Sequence, residues 1–315
     1  MEKERISVAM ATYNGARFLR EQLDSLYKQT RVPDEVFVSD DNSKDETANI
    51  LEEYHQQYGL RYVVNKRSLG VNKNFEQAIR SCTGDYIIIC DQDDVWFPNK
   101  IQVSLDKIKE IEKDKPALVS SQNHVIDGQG NVIDKTTKIQ KDTFTCADTL
   151  LQPDGVTRGC SLMFNRKLLE RLNPFPATED CLYDHYIGVV SASIGVKYNL
   201  SAPLMYHRRH GGNVTVPPPF IDRRSKFRKL LSKLKLKVNP LVLNPNRVLA
   251  LRIVEREYSN SFLPGVSGTY RKAFDYFECK TKIAQIISIV KMGELSLSQR
   301  CHLIIGTLMY FQKFK

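Results

Sequence analysis

The sequence predicts an α/β protein with a parallel sheet that is covered by helices on both faces. Short, almost wholly apolar runs alternate with segments whose apolar residues recur at helical spacing. Such continuous apolar strands are typical of parallel sheets buried on both faces, because neither face meets water. Polar clusters follow three of these runs, at the edge where sheets of this kind bind ligands.

Strands and helices are predicted to alternate along the first part of the chain. The apolar runs that predict strands lie at residues 6–12, 36–39, 61–64 and 86–90, and the helical patterns lie at 16–28, 43–54 and 71–80. Ser43-Lys-Asp-Glu46 has the form of a capping box, which predicts that the second helix begins near Ser43. Repeated strand–helix units predict parallel neighbours in the sheet.

Beyond Asp94 the pattern of strands and helices is mixed. Strand candidates lie at residues 117–125, 156–164 and 196–198, and helix candidates lie at 166–172 and 183–193. The run Val216-Pro-Pro-Pro-Phe220 then interrupts the chain and predicts a linker. We therefore expect a first domain at residues 1–215 and a mostly helical extension at residues 216–315.

The composition argues against several classes of protein. The 315 residues are 42% hydrophobic and 26% charged, which is typical of globular proteins. No stretch reaches the roughly 18 consecutive apolar residues of a membrane-spanning helix, and the N-terminus lacks the apolar core of a secretion signal. The seven cysteines include no CxxC pair, which argues against a disulfide framework and a structural zinc site. We expect a cytoplasmic protein.

Basic residues are concentrated at the end of the chain. Residues 1–222 carry 27 Lys and Arg against 31 Asp and Glu, whereas residues 223–315 carry 19 against 5. Residues 223–237 hold eight basic and no acidic residues, with an apolar stripe on one helical face, which is typical of a helix lying on an anionic membrane. A helix packed on the first domain is an alternative, and a nucleic-acid surface is disfavoured because no interleaved aromatic residues accompany the charges.

Three carboxylates follow the strand at residues 86–90. Asp91, Asp93 and Asp94 would repel each other unless a cation lies among them. Carboxylate oxygens suit Mg²⁺ or Mn²⁺, which proteins commonly share with substrate phosphates. A solvated acidic turn is the simpler interpretation in an arbitrary loop, but the position at the carboxyl end of a strand favours a metal site.

A second acidic pair, Asp40 and Asp41, follows the strand at residues 36–39. Paired acids there can accept hydrogen bonds from a nucleotide base or ribose, and a plain turn leading into the next helix explains them equally well. Neither GxGxxG nor GxxxxGK[ST] occurs between the strands. A dinucleotide-binding domain and a P-loop NTPase therefore both lose support.

Five segments together resemble family 2 glycosyltransferases with the GT-A fold. In the order of that family they are residues 8–14 (VAMATYN), 38–43 (VSDDNS), 84–96 (GDYIIICDQDDVW), 159–164 (GCSLMF) and 183–185 (YDH). The resemblance covers roughly residues 4–215. The form of residues 91–96 and the later segment 206–213 (YHRRHGGN) are most similar to the rhamnosyltransferase-type branch, which builds bacterial surface polysaccharides.

The resemblance implies a donor site built from the ends of three strands. Thr12 and Tyr13 would lie beside the nucleotide base, and Asp41, with its neighbour Asp40, would bind the pyrimidine. Asp91, the first acid of the DxD motif, would contribute to donor binding as well.

The resemblance also implies a divalent metal, Mn²⁺ or Mg²⁺, that bridges the diphosphate. Asp93 is its firmest expected ligand, with Asp91 and Asp94 assisting. His210 and His207 are candidates for a metal or phosphate contact, although an isolated histidine near a strand end is more often structural. We expect His210 to be one of the metal ligands.

Asp184 is the residue that the resemblance implies as the catalytic base. It lies at a predicted helix start downstream of the Gly159-Cys160 segment, between Tyr183 and His185. Many relatives have an acidic residue or histidine before the base and tryptophan after it, so this segment departs from the common pattern. The pair Glu179-Asp180 is therefore a competing assignment.

These residue types predict inverting, metal-dependent transfer of a sugar from a nucleotide-diphosphate donor to a hydroxyl of a glycan or lipid-linked acceptor. A base would deprotonate the acceptor hydroxyl, and the metal would stabilise the leaving nucleoside diphosphate. We expect a peripheral position on the inner face of the cell membrane and no nucleic-acid partner. Two alternatives stay open: a nucleotidyltransferase that makes activated sugars, and a catalytically inactive scaffold at a membrane surface.

Overall fold

The computed structural model describes residues 3–134, 158–178, 180–212 and 245–277. Its strands are β1 (Ile6–Thr12), β2 (Glu35–Asp40), β3 (Arg61–Val64), β4 (Tyr86–Cys90), β5 (Val95–Trp96), β6 (Ala117–Ile126), β7 (Val132–Asp134), β8 (Leu162–Asn165) and β9 (Val196–Arg208). Its helices are α1 (Ala16–Tyr27), α2 (Thr47–Tyr58), α3 (Val71–Ser81), α4 (Lys100–Glu112), α5 (Arg166–Arg171), α6 (Tyr183–Ile194), α7 (Pro245–Tyr258) and α8 (Val266–Phe277). The predicted α/β class is confirmed.

All of these strands join one sheet, in the order β3-β2-β1-β4-β8-β6-β9-β5, with β7 paired to β6. The first four strands are parallel, as the sequence predicts. Beyond them the sheet is mixed, because β8 runs antiparallel to both β4 and β6. All four residues of β8 are buried, so its apolar sequence resembles that of its parallel neighbours and carries no mark of its direction.

Helices cover both faces of the sheet. On one face, α1, α2 and α4 pack through residues such as Leu23 and Ile101 against Val8 and Ile88. On the other face, α3, α5 and α6 pack against alternate residues of the same strands, among them Ile89. Because successive side chains of a strand point to opposite faces, strands covered on both sides must be apolar throughout.

The second helix begins later than the capping-box pattern predicts. α2 starts at Thr47, with Glu46 as its N-cap residue and no side-chain cap. The Ser43 hydroxyl donates to Asp40 Oδ1 instead, at 2.5 Å. The capping-box prediction was wrong because a buried carboxylate at the strand end binds this serine and draws it into the loop.

The described part of the C-terminal extension packs on α6. Leu251 and Val254 of α7 belong to the same apolar core as Ile187 of α6. Two hydrogen bonds between hydroxyls, each 2.9 Å long, also hold α6: Tyr186 pairs with Tyr258 of α7, and Ser193 pairs with Tyr270 of α8. Residues 245–277 therefore extend the core on this face of the sheet.

Several predictions fall on parts of the chain that the structure does not describe. The linker at 216–220 and the basic segment 223–237 lie outside the described residues, as does the start of the strand predicted at 156–164. Among the helices that are described, none has both the length and the apolar character needed to cross a bilayer.

Candidate active site

One edge of the sheet collects the polar segments that the sequence singles out. Three parallel strands end there, at Thr12, Asp40 and Cys90, and β9 ends there at Arg208. Because β8 is antiparallel, it begins at the same edge, directly after the turn Gly159–Ser161. This arrangement brings residues from widely separated parts of the sequence to one place.

Thr12 and Asp40 connect the loops that follow β1 and β2. The Thr12 hydroxyl donates to Asp40 Oδ1 at 2.8 Å, and the backbone N–H of Ser43 donates to Asp40 Oδ2 at 2.9 Å. The backbone N–H of Asn14 in turn donates to the Ser43 hydroxyl at 2.8 Å. Asp40 is fully buried, so in this structure it holds two loops together.

Gln92, the middle residue of the DxD motif, fixes the backbone of Tyr13. Its Oε1 accepts from the Tyr13 N–H at 2.9 Å, and its Nε2 donates to the Tyr13 carbonyl at 3.1 Å. The Tyr13 side chain is left 54% exposed at the site edge. An exposed aromatic ring on a fixed backbone is well suited to stacking on a base.

Asp41 is bound by the segment before α3. Its Oδ1 accepts from the Leu69 N–H at 2.6 Å, and its Oδ2 accepts from the Ser68 hydroxyl at 2.6 Å and the Gly70 N–H at 3.1 Å. Gly70 has φ +78°, a conformation that favours glycine. Both oxygens of Asp41 are thus used within the chain, and its contact with a pyrimidine stays a prediction.

The acids after β4 form two carboxylate–imidazole pairs with the end of β9. Asp94, which is fully buried, has its Oδ1 2.9 Å from His207 Nδ1 and accepts a hydrogen bond from the Arg208 N–H at 3.1 Å. Asp93 has its Oδ2 2.7 Å from His210 Nε2. The structure therefore pairs Asp93 with His210 and Asp94 with His207, while the ligand atoms that lie within 4.8 Å of one another include those of Asp91 and Asp94 and not those of Asp93 or His210.

Burial, followed by repulsion between the carboxylates, shifts the pKa values in this cluster. Burial, together with the Asp94 and Asp93 carboxylates, raises the pKa of Asp91 well above its usual value. Burial and Asp94 likewise raise the pKa of Asp93, against the lowering effect of His210. Burial alone would lower the pKa of His207, but the hydrogen bond and the charge of Asp94 raise it overall. Such a cluster gains from a cation.

The residues present fit a divalent metal ion. Ligand atoms of Asp91, Asp94, Cys160 and His207 all lie within 4.8 Å of one another. Asp94 Oδ2 is buried with no hydrogen-bond partner in the described part of the chain, an expensive arrangement unless a ligand binds it. Burial raises the pKa of the Cys160 thiol well above its usual value. Carboxylate oxygens and imidazole nitrogen are the other donors of the group, and both suit Mn²⁺.

Asp184 lies in the first turn of α6 and faces the turn before β8. Its Oδ2 accepts from the Gly159 N–H at 3.1 Å, and its Oδ1 accepts from the His185 N–H at 2.7 Å. Gly159 precedes Cys160, whose sulfur lies within 4.8 Å of ligand oxygens of Asp91 and Asp94, so Asp184 adjoins the same site. A Cβ on Gly159 would lie 1.8 Å from the Tyr183 hydroxyl, so only glycine fits there.

Asn72 fixes the start of α6. Its side-chain amide donates to the carbonyls of Pro176, Thr178 and Cys181 at 2.8–3.0 Å, while its Oδ1 accepts from the Tyr183 N–H at 2.9 Å. One buried side chain thus sets the path of the loop that precedes Asp184. The sequence carries no signal for this role, because the partners lie more than 100 residues away from Asn72.

The competing assignment of the base concerns the pair Glu179-Asp180. Asp180 is exposed, with its N–H bonded to the Thr178 hydroxyl, and Glu179 lies outside the described residues.

Two residues near the site, Gln92 and Lys100, are not among the site residues that the sequence predicts. The position of Gln92 inside the DxD motif was a usable signal, and Lys100, which is fully buried, appeared in the sequence only as a charged residue after the motif.

A mixed sheet with acids at the end of β4, a base candidate at the start of α6 and helices on both faces defines a nucleotide-sugar transferase with the GT-A fold. The family profile described as Glycosyl transferase family 2 matches residues 7–172. The chain belongs to this glycosyltransferase family. It is therefore a glycosyltransferase that uses a nucleotide-sugar donor. Membership of the family favours this function over the two alternatives, a nucleotidyltransferase and an inactive scaffold.

Similar proteins agree with this assignment. The chain is 27% identical over 307 residues to the dTDP-rhamnosyl transferase RfbG of Shigella flexneri, covering 91% of this chain and 100% of RfbG. The structure of S. aureus TarS in complex with UDP has a TM-score of 0.54 at 17% identity, covering 96% of this chain and 89% of that one. The mannosyltransferase PcManGT from Pyrobaculum calidifontis, in complex with GDP-Man and Mn²⁺, has a TM-score of 0.50 at 17% identity, covering 98% and 87%.

Proposed function

We propose that this enzyme transfers a sugar, with inversion and with the help of a divalent metal, to a hydroxyl of a glycan or lipid-linked acceptor in surface-polysaccharide synthesis. The observation that carries the proposal is the cluster of Asp91, Asp94 and His207, whose ligand atoms lie within 4.8 Å of one another, with the Asp93–His210 pair next to it in the chain. Asp184 accepts from the N–H of Gly159, the neighbour of Cys160 in that cluster. One side of the site thus suits a diphosphate-bound cation, and the other suits a base.

Asp93 and His210 would hold the metal, Mn²⁺ or Mg²⁺, with Asp91 and Asp94 supplying further oxygen atoms. When bound, the ion neutralises the charge that develops on the leaving diphosphate. His207 keeps Asp94 oriented through its 2.9 Å contact, in the way that neighbours of metal ligands usually do. The mention of Mn²⁺ with GDP-Man in the PcManGT structure supports this part of the proposal.

Asp184 would act as the general base. Two backbone N–H groups, those of Gly159 and His185, donate to its carboxylate and fix its orientation. The Oδ atoms would receive the proton of the acceptor hydroxyl while the oxygen attacks the anomeric carbon and the nucleoside diphosphate leaves. Attack from the face opposite the leaving group inverts the anomeric centre.

On the donor side, Tyr13 would stack on the nucleotide base. Thr12, Asp40 and Asp41 would maintain the loops around that base. Asp91 would face the ribose and the diphosphate. The name of RfbG, dTDP-rhamnosyl transferase, makes dTDP-rhamnose the first donor to test, with UDP- and GDP-sugars as comparisons. The UDP bound in the TarS structure supports a pyrimidine nucleotide.

The metal is tested by titrating the purified chain with Mn²⁺, by electron paramagnetic resonance, and by assaying sugar transfer with each donor. We expect Mn²⁺ to bind, excess EDTA to abolish turnover, and Asp93→Asn to weaken both Mn²⁺ and donor binding. Asp106→Asn is the matched control, because Asp106 is an exposed acid on α4. Full turnover in excess EDTA would contradict the metal role.

We also propose that residues 1–215 form the catalytic domain and that the basic segment 223–237 of the 216–315 extension docks the enzyme on the anionic inner face of the cell membrane. Each basic residue can contribute on the order of 1 kcal/mol at such a surface. The full chain should co-sediment with vesicles containing anionic lipid, and less so as salt rises. A variant with Lys226, Arg228, Lys229, Lys233 and Lys235 changed to Gln should stay in solution, and equal sedimentation of both proteins would remove this proposal.

A further inference from the structure

The side chain of Gln92 joins the segment that follows β4 to the loop that follows β1. Gln92 stands between Asp91 and Asp93, two residues after β4 ends at Cys90. The Tyr13 N–H donates to Gln92 Oε1 at 2.9 Å, and Gln92 Nε2 donates to the Tyr13 carbonyl at 3.1 Å. Both ends of one side-chain amide are thus bonded to the main chain of a single residue that is 79 positions away.

This amide continues the pairing of the two strands beyond the end of their ladder. The pairing of β1 with β4 ends at Met10 and Cys90, and residues 92–93 form a turn. The Gln92 side chain therefore offers Tyr13 the donor and the acceptor that a further strand residue would offer. Glutamate at position 92 would lack the donor, methionine would lack both groups, and asparagine would be one methylene shorter. Glutamine is the residue type that fits this pair of bonds.

Gly15 leaves the space that the amide occupies. A Cβ on Gly15 would lie 2.2 Å from Gln92 Oε1 and 2.6 Å from Gln92 Cδ. The backbone angles of Gly15, φ −98° and ψ 0°, are open to other residues, so the demand for glycine comes from space. The loop and the amide are therefore packed against each other, and an added methyl group at Gly15 would displace the amide.

These contacts connect two parts of the proposed donor site. Tyr13, which is 54% exposed, would stack on the nucleotide base, and the acids on either side of Gln92 would face the diphosphate and its metal. The relative position of these two parts is set by one side chain with two hydrogen bonds. A binding site whose parts are fixed in advance loses less entropy when its ligand binds.

We propose that Gln92 is a positioning residue which fixes Tyr13 relative to Asp91 and Asp93, so that both ends of the donor nucleotide bind to one preorganised unit. This inference rests on the proposed function, in which Tyr13 stacks on the base and the acids serve the diphosphate. Because Gln92 acts through Tyr13, its loss should weaken the binding of ligands that carry a base. The binding of ligands that lack a base, and turnover once the donor is bound, should be unaffected.

Gln92→Met tests this role because it keeps the length of the side chain and removes both hydrogen bonds. With Mn²⁺ present, UDP and dTDP should bind about three- to tenfold more weakly, since Tyr13 must then be ordered on binding. Inorganic pyrophosphate with Mn²⁺, which has no base, should bind with unchanged affinity. The KM for the donor should rise while kcat stays unchanged. A role in shaping the segment 91–94 alone would weaken the binding of pyrophosphate as much as that of UDP.

Tyr13→Ala provides the second comparison. By itself it tests the proposed stacking, and its UDP affinity should fall. Adding Gln92→Met to the Tyr13→Ala chain should cost little further UDP affinity, because the ring that Gln92 positions is then gone. Losses that add in the double variant would show that Gln92 acts independently of Tyr13 and would overturn the proposal. Full UDP affinity of Tyr13→Ala would remove the stacking itself, and this inference with it.

Gly15→Ala displaces the amide without deleting it, so its affinities for UDP and pyrophosphate should follow those of Gln92→Met. Gln56→Met is the matched control, because Gln56 is an exposed glutamine of α2 whose partner is Glu52. Its UDP affinity should equal that of the unchanged chain.

The readouts are ligand titration by calorimetry and Mn²⁺ titration by electron paramagnetic resonance, with folding checked by circular dichroism. Unchanged UDP affinity in a folded Gln92→Met or Gly15→Ala chain, or equal losses of UDP and pyrophosphate affinity, would overturn the proposal. If the unchanged chain bound no Mn²⁺, the metal role would fail by itself, whereas the comparison of UDP affinities in EDTA would still decide the role of Gln92.

Discussion

The two halves of the sheet edge differ in how their polar atoms are satisfied. In the donor half, which comprises the loops at residues 12–16, 40–47 and 65–70, Asp40 and Asp41 each accept several hydrogen bonds from the chain. The acid half comprises residues 91–94, 158–161, 183–185 and 207–210. There Asp94 Oδ2 is buried without a partner in the described chain, and burial together with neighbouring carboxylates raises the pKa of Asp91.

This difference indicates what each half contributes. The donor half is held rigid by its own hydrogen bonds, so it can bind a nucleotide without first reorganising. The acid half concentrates like charges that destabilise the free chain and become favourable when a cation binds, as is common where function opposes stability. Substitutions in the two halves should therefore affect different measurements.

The largest expected effect is on turnover and comes from Asp184→Asn. Because the proposed work of Asp184 is done in the transition state, kcat should fall by about 10²–10⁴-fold while donor affinity changes little. The measurements are steady-state sugar transfer and donor binding by calorimetry. This result would show that Asp184 supplies chemistry without contributing to donor affinity.

Asp180→Asn and Glu179→Gln serve as the comparison for Asp184. Asp180 is exposed, and the proposal assigns the base to Asp184 alone, so both variants should turn over at nearly the unchanged rate. A large loss of kcat in either one, with Asp184→Asn near normal, would transfer the role of base to that neighbour.

The donor half and the overall class follow from sequence because their signals are local. Apolar runs of four to seven residues predict β1, β2 and β4, and the acids after β4 predict the cluster at Asp91, without knowledge of any distant contact. The direction of β8, the role of Asn72 and the burial of Lys100 depend on partners more than 40 residues away, which no local pattern encodes.

Asp41 shows what a local sequence pattern cannot predict. The sequence correctly predicts that Asp41 follows β2. The groups that donate hydrogen bonds to its oxygens come from another loop, at Ser68, Leu69 and Gly70.

The C-terminal helices are a second case in which local sequence does not predict the contacts. Their apolar faces resemble any amphipathic surface, and only the folded chain shows that Tyr258 and Leu251 pack on α6.

A smaller effect, on stability, is expected from Leu251→Ala. Leu251 is fully buried in the core shared by α7 and α6, so its truncation should cost about 2–5 kcal/mol of unfolding free energy. Leu23→Ala in α1, also fully buried, is the matched variant on the opposite face of the sheet. Urea unfolding should give similar losses for both. A negligible loss for Leu251→Ala alone would mean that the C-terminal helices are dispensable to the core.

The smallest expected effect depends on pH and concerns Glu76, which supports the loop before α6. Its carboxylate accepts from Lys73, from Arg80 and from the Phe175 N–H, at 2.7–3.0 Å. Burial raises the pKa of Glu76, but these hydrogen bonds outweigh it and lower the pKa overall. A carboxyl with a lowered pKa in the folded state stabilises the protein above its unfolded-state pKa, and this contribution is lost as pH falls through the folded-state pKa.

Glu76→Gln should therefore cost about 1–3 kcal/mol at pH 7, and the difference from the unchanged chain should shrink as pH falls below about 4.5. Glu35→Gln is the counterpart near the start of the donor strands, where Ser7 and Thr83 donate to a carboxyl whose pKa is also lowered overall, despite its burial. Both variants should lose stability with the same pH dependence, measured by thermal unfolding. Of the two variants, only Glu76→Gln should also lower kcat, because Glu76 holds the backbone that leads to Asp184. An equal fall in kcat for Glu35→Gln would contradict this specific role of Glu76.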